Sequence, residues 1–92
     1  MALPDEEKSK LLKRLSRIRG QVEALRRSVT EGESSRAVLQ QATACRGALD
    51  GFIAEVIEDH IRERMIDSSA SRDDPRVQAA EELVEIVHAY LT

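Results

Sequence analysis

Apolar residues recur in the first thirty positions at alternating spacings of four and three residues. The positions are Leu11, Leu15, Ile18, Val22, Leu25 and Val29. This heptad-like spacing is typical of a helix that packs at a shallow angle on another helix. Pro4 suits the first turn of such a helix, and Gly32 suits the residue just past its end. The pattern predicts a first helix over about residues 5–30, in which Gly20 would allow a close approach of another backbone.

A second and longer periodic segment follows the polar stretch EGES at residues 31–34. Its apolar stripe runs through Val38, Ala42, Cys45, Leu49, Phe52 and Val56 and continues to Asp59. Ser35 is interpreted as the N-cap, because serine can accept hydrogen bonds from the free N–H groups of the first turn. The pattern predicts a helix over about residues 35–66. One helix of similar length cannot cover it in a chain this short, so an oligomer is expected.

The segment DSSASRDDP at residues 67–75 has the composition of a linker. Asp74 is predicted to cap a third helix, with Pro75 in its first turn. This helix is predicted over residues 75–91, with an apolar face of Val77, Ala80, Leu83, Val84, Val87 and Leu91. No strand pattern is present. The expected fold is all-α, with residues 1–92 forming one domain.

The length and composition limit how this domain can be stabilised. The chain has 92 residues and only two aromatic side chains, Phe52 and Tyr90. A core of this size is marginal, which again favours oligomerisation. The single cysteine, Cys45, excludes an intramolecular disulfide and fits a reducing compartment. No secretory segment and no apolar run of about 18 residues is present, so a cytoplasmic protein without a membrane partner is expected.

Charge is distributed unevenly along the chain. The formal net charge is −3, yet residues 8–27 hold eight basic side chains against one acidic side chain. From residue 31 onward, six arginines stand against thirteen acidic residues. A basic helix on an acidic body can form a local anion-binding surface.

The order of these motifs resembles one family of proteins. The stretch LLKRLSRIRGQVEALRRSV is similar to the first helix of the CsoR/RcnR/FrmR repressors, and RAVLQQATACRGALDGFIAEVIEDHIRE resembles their second helix. The ending ELVEIVHAYL is similar to the third helix of the formaldehyde-responsive, FrmR-like branch. The resemblance implies three-helix protomers, each with an antiparallel hairpin of helices 1 and 2. It also implies a dimer of dimers that holds operator DNA and releases it on binding formaldehyde or a transition metal.

The basic residues of helix 1 are predicted to contact this DNA. Lys10, Arg14 and Arg17 are spaced by four and three residues and share one side of the helix, and Lys13 flanks them. Arg19 completes the predicted set. Such side chains neutralise phosphates, although an ordinary solvated helix face is the alternative. Without aromatic residues on this face, duplex DNA is expected rather than base stacking on single strands.

The resemblance also assigns an effector site, from which this sequence departs. Family members use a cysteine at the start of helix 2, a later histidine, a third group one turn further on, and in some branches the N-terminal amine. These positions fall on Ser35, His60, Arg64 and Ala2. Because Ala2 is small, removal of Met1 is expected, which would leave a free amine on Ala2.

Only the histidine matches the family pattern as it stands. His60 could ligate Ni, Co, Cu or Zn, but Ser35 is a poor ligand for soft metals and Arg64 stays protonated. We expect that no cofactor is required and that the thiol response is weak or absent. The serine fits either a natural loss of thiol chemistry, which we prefer, or a replacement of cysteine by its nearest isostere.

Two other residues are candidates for chemistry. Cys45 lies ten residues beyond Ser35 on the apolar stripe, so we interpret it as a small buried packing residue and not as a substitute thiol. His88 has no partner pattern in the sequence and is expected at the surface.

Two alternatives to a repressor remain. The first is a small helical enzyme of the chorismate-mutase type, whose pocket would need basic residues that face inward among apolar ones. The basic residues of helix 1 lie off the apolar stripe, which disfavours this alternative. The second is a helical adaptor that binds no nucleic acid. We therefore do not expect an enzyme.

Overall fold

The computed structural model describes residues 3–66 and 69–92 and contains three α-helices in this part of the chain. Helix α1 spans Asp5–Thr30, α2 spans Ser35–Met65 and α3 spans Pro75–Leu91. The bounds of α1 and α3 are the expected ones, and α2 ends one residue earlier than expected. None of these helices combines the length and hydropathy that a membrane span needs.

The ends of α1 follow from local sequence. Three acidic residues, Asp5, Glu6 and Glu7, occupy the first turn, where negative charge is favoured by the helix dipole. At the other end, Gly32 has a φ of 69°, the left-handed conformation that glycine adopts without steric cost. The prediction that Gly32 terminates the helix is therefore confirmed.

The start of α2 corrects the interpretation of Ser35 as the N-cap. The hydroxyl of Ser34 accepts a hydrogen bond from the backbone N–H of Ala37 at 3.2 Å, and the carbonyl of Ser34 accepts one from Val38 at 3.0 Å. These are the bonds that an N-cap residue makes. Ser34 is thus the cap, and Ser35 is the first helical residue, with an exposed side chain. The Ser35 hydroxyl is not needed to start the helix.

The start of α3 agrees with the prediction. The carboxylate of Asp74 accepts a hydrogen bond from the backbone N–H of Arg76 at 2.8 Å, and Pro75 is the first residue of the helix. The Arg76 guanidinium also lies 3.3 Å from the other carboxylate oxygen. The side-chain hydrogen bond from Arg76, followed by the backbone one, lowers the pKa of Asp74 below its ordinary value of 3.8.

Removing this cap is expected to loosen the first turn of α3. Asp74→Ala should lower Tm and speed amide exchange at residues 76–78, whereas Asp74→Asn should retain most of the protection, because asparagine caps equally well. Since folding lowers the pKa of Asp74, its charged cap contributes stability above pH 3.8, and this contribution is lost as pH falls through the lowered pKa. Equal exchange rates in the two variants at neutral pH would contradict this role of Asp74.

The chain forms two compact units, residues Met1–Phe52 and Ile53–Thr92. In the first unit, α1 and the first half of α2 are joined by a short turn. Leu11 and Ile18 of the α1 stripe are buried, and Leu25 is half-buried. The other three members of the stripe remain exposed; they are Leu15, Val22 and Val29. The predicted apolar stripe is therefore only partly covered within one chain.

In the second unit, α3 packs on the end of α2. Ile61 of α2 and Ala80 and Val84 of α3 form a buried cluster. Half-buried side chains surround this cluster; they are Ile57, Ile66 and Val87. The apolar face predicted for α3 thus contributes the core of this unit, while Leu83 and Leu91 remain exposed.

Candidate functional site

Four basic side chains of α1 form one exposed surface, which we call the basic face: Lys10, Lys13, Arg14 and Arg17. Lys10, Arg14 and Arg17 follow one another by four and three residues, so the helix repeat places them on one side, and Lys13 lies beside them. Lys10 makes an ion pair with Glu7 at 3.4 Å, one turn earlier. A row of exposed cations along one side of a helix is suited to contact successive phosphates.

Arg19 does not belong to this surface. It is exposed, but it follows Lys10 by nine residues, or about two and a half helical turns. It therefore lies on the opposite side of α1, which it shares with Lys8 and Arg26. The structure brings four of the five predicted DNA-binding residues together and leaves Arg19 apart from them.

Arg14 differs from the other members of the basic face. A Cβ atom added to Gly51 would lie 3.1 Å from Nη1 of Arg14, so the guanidinium lies directly over the α2 backbone. At Gly20, where a close approach of helices is expected from the sequence, an added Cβ would meet nothing within 4 Å. Within the described part of one chain, no helix approaches Gly20 closely, whereas Gly51 lies beside the end of the Arg14 side chain.

The predicted effector residues are spread along α2. Ser35 lies in the first turn, while His60 and Arg64 lie one turn apart near the end, and all three side chains are exposed. Ser35 and His60 are 25 residues apart on the helix. At about 1.5 Å per residue, this is roughly 37 Å along the axis. The fourth predicted residue, Ala2, lies outside the described residues.

Cys45 is half-buried, so its predicted burial is reached only in part within one chain. It lies ten residues after Ser35, nearly three turns further along α2. This position keeps it well away from the start of the helix, where the family resemblance places the reactive group.

His88 is exposed, as predicted, and it contacts a residue that the sequence does not indicate. Its Nδ1 lies 3.2 Å from Oε1 of Glu58, and this pair joins α3 to α2. The two residues are thirty positions apart, so no local sequence pattern indicates the contact.

Comparison with known proteins shows relatives that match nearly the whole chain. Residues 7–89 match the model of a family described as metal-sensitive transcriptional repressors. The chain is 37% identical over 87 residues to the transcriptional repressor RcnR of Citrobacter koseri, covering 92% of each chain. It is 40% identical over 91 residues to an uncharacterised Serratia marcescens protein from the bioA 5′ region, covering 99% of each chain.

A solved structure is also similar. A variant of the formaldehyde-responsive regulator FrmR from Salmonella enterica serovar Typhimurium matches with a TM-score of 0.66 and 37% identity. The match covers 97% of this chain and 99% of that one.

These observations define a small all-α repressor protomer. The chain belongs to the family of metal-sensitive transcriptional repressors. Repression of transcription implies operator DNA as the partner of this family. Its members are not enzymes, so the enzyme alternative is excluded.

Proposed function

We propose that this protein binds double-stranded operator DNA through the basic face of α1 and releases it when a small effector binds. One observation carries the proposal: four cations are exposed on one side of a helix in a chain that belongs to a repressor family. Because the rest of the chain is acidic and repels phosphate, nonspecific binding to DNA should be limited. A repressor works on the operator, which places its action in the cytoplasm.

The basic face supports recognition through phosphates and duplex shape. Lys10, Lys13, Arg14 and Arg17 contribute most of the contact in this proposal. Arg19 lies on the other side of α1. It can therefore contact DNA only if the duplex curves around the helix or if assembly with a second copy of the chain positions phosphate groups on that side. Its contribution is therefore smaller.

The direct experiment is fluorescence anisotropy with a labelled duplex that spans the DNA upstream of the protein's own coding sequence. A duplex of the same composition in scrambled order is the control. The proposal expects preferential binding to the upstream duplex and a steep loss of affinity between about 50 and 200 mM salt. No preference, or no effect of salt, would favour the adaptor alternative.

The proposal includes a homotetramer, a dimer of dimers. Large apolar side chains are exposed on α1 and α2, among them Val29 at 61% and Leu39 at 65% of their full area. The isolated chain buries few apolar residues, and association would cover its exposed apolar surface. The resemblance to the repressor family supplies the proposed number of subunits.

Leu39→Ala is expected to weaken this assembly while the protomer remains helical. Because Leu39 is mostly exposed in the single chain, the substitution removes little packing within it but would remove apolar area from an interface between chains. Sedimentation velocity over a concentration series should show dissociation at higher concentration than for wild type. Gln40→Ala, at the neighbouring exposed position, is the control. An unchanged dissociation profile for Leu39→Ala would exclude this position from the interface.

The family resemblance implies an effector site between subunits, and the roughly 37 Å of helix between Ser35 and His60 in one chain supports this proposal. The proposed site combines Ser35 of one chain with His60 and Arg64 of another, and with the amine of Ala2. Formaldehyde is the proposed effector. A transition metal is the second candidate, because the family is metal-sensitive and His60 offers an imidazole ligand.

The available donor atoms favour formaldehyde over a tightly bound metal. An amine can attack the aldehyde carbonyl, lose water and form an iminium ion, which a second nucleophile then traps. The serine hydroxyl is a far weaker nucleophile than a thiolate, and the Arg64 guanidinium does not ligate metals. We therefore propose a weak response to formaldehyde and a weaker affinity for Ni, Co, Cu or Zn than a cysteine-bearing relative has.

A further inference from the structure

The contact between Arg14 and Gly51 joins equivalent positions of the two helices of the first unit. Arg14 lies sixteen residues before the last residue of α1, Thr30, and Gly51 lies sixteen residues after the first residue of α2, Ser35. This symmetry about the connecting turn is what an antiparallel pair of helices produces. The contact is therefore part of the packing of α1 on α2.

Arg14 is placed to reach both the basic face and α2. It follows the buried Leu11 by three residues and precedes the buried Ile18 by four, so it borders the apolar stripe. Lys10 and Arg17 lie further round the helix. Arg14 is thus the member of the basic face closest to the helix interface. Its long side chain can extend across α2 while the residue as a whole remains exposed.

We propose that Gly51 is a positioning residue for DNA binding: because it has no side chain, the Arg14 guanidinium can lie across α2 and is held there at a defined place on the basic face. This inference rests on the proposed contact between the basic face and DNA. A long, freely rotating arginine loses conformational entropy when it binds phosphate, and a guanidinium already held in place loses less.

The geometry gives Gly51 a specific experimental signature. An alanine Cβ would stand 3.1 Å from Nη1 of Arg14, so the guanidinium would have to move by a few tenths of an ångström. The end of a flexible side chain can move in this way at little cost to the fold. Alanine is also the better helix former, so Gly51→Ala should raise Tm by about 4–8 °C. The substitution should thus stabilise the fold and weaken DNA binding.

Gly47 is the matched control. It lies one turn earlier in the same helix, and a Cβ there would meet nothing within 4 Å. Gly47→Ala should raise Tm similarly and leave DNA affinity unchanged. Replacement by glutamine at each position extends the comparison, because a longer side chain at residue 51 displaces the guanidinium completely.

The experiment measures affinity for the upstream duplex by fluorescence anisotropy, with Tm and sedimentation as checks on fold and assembly. Gly51→Ala should weaken binding about two- to fivefold, and Gly51→Gln should weaken it further. Both Gly47 variants should bind like wild type. In an Arg14→Ala background, Gly51→Ala should have no additional effect on affinity, because the group that it displaces is gone.

Two outcomes separate this inference from the proposed function. If Arg14→Ala weakens binding but the Gly51 and Gly47 variants bind equally well, the positioning role of Gly51 is wrong and DNA contact by the basic face stands. If neither Arg14→Ala nor substitution of Lys13 and Arg17 changes binding, the proposed DNA surface is wrong and this inference falls with it.

A measurement on the wild-type protein tests the proposal even if a Gly51 variant misfolds or changes its assembly. Nitrogen-15 relaxation of the arginine Nε–H groups reports side-chain motion in solution. The proposal expects Arg14 to be more restricted than Arg17, which lies further from α2. Equal mobility of the two side chains would overturn it.

Discussion

Replacing Ser35 by cysteine is expected to convert a weakly responsive repressor into a formaldehyde-responsive one. The concentration of formaldehyde that releases half of the bound DNA should fall by at least about tenfold. The physical reason is that a thiol at a helix N-terminus has a lowered pKa and forms a nucleophilic thiolate, whereas a serine hydroxyl stays protonated. Ser34, and not Ser35, caps α2, so this substitution leaves the hydrogen bonds that start the helix intact.

Two variants control for this result. Ser35→Ala should respond like wild type, because neither side chain provides a thiolate. Adding Cys45→Ser to the Ser35→Cys protein should leave the new response in place, since Cys45 is half-buried and nearly three turns away. Release would be measured by anisotropy with the upstream duplex as formaldehyde is titrated at neutral pH. If wild type were released as readily as Ser35→Cys, the proposed effector chemistry would be wrong.

Removing two charges from the basic face is the second change for which we expect a large effect, here on DNA affinity. Lys13→Gln with Arg17→Gln is expected to reduce affinity for the upstream duplex by about tenfold or more, because each cation releases condensed counterions when it meets a phosphate. Both side chains are exposed, so the fold should persist with a nearly unchanged Tm.

The matched control removes the same charge from the other side of α1. Lys8 and Arg26 are exposed and lie five turns apart on the side opposite Arg17. Lys8→Gln with Arg26→Gln alters net charge equally, so a purely global effect of charge would weaken binding by the same amount in both double variants. The proposed surface instead predicts a much smaller reduction for the control pair.

The features that the sequence predicts well are local ones. The termini of α1 and α3 depend on Gly32 and Asp74, whose preferences act over a few residues and are readable from composition. The predicted cap of α2 is wrong by one residue because Ser34 and Ser35 have the same capping ability. Which of them caps depends on where the backbone enters the helix.

The features that the sequence does not predict join distant parts of the chain. Glu58 and His88 are thirty residues apart but their side chains lie within hydrogen-bond distance, and Arg14 and Gly51 meet because α1 and α2 pack together. Their geometry depends on helix rotation and separation, which periodicity does not define. The family resemblance assigns Ser35, His60, Arg64 and Ala2 to one site, but the structure of one chain spreads the three described positions along α2.

Binding of operator phosphates by the basic face of α1 is tested most directly by its salt dependence. The measurement is the slope of log K against log salt concentration for wild type and for Lys13→Gln with Arg17→Gln. Wild type should show a steep negative slope, and the variant a shallower one, by about one for each phosphate that it no longer neutralises. Identical slopes for the two proteins would contradict a role of the basic face in binding DNA.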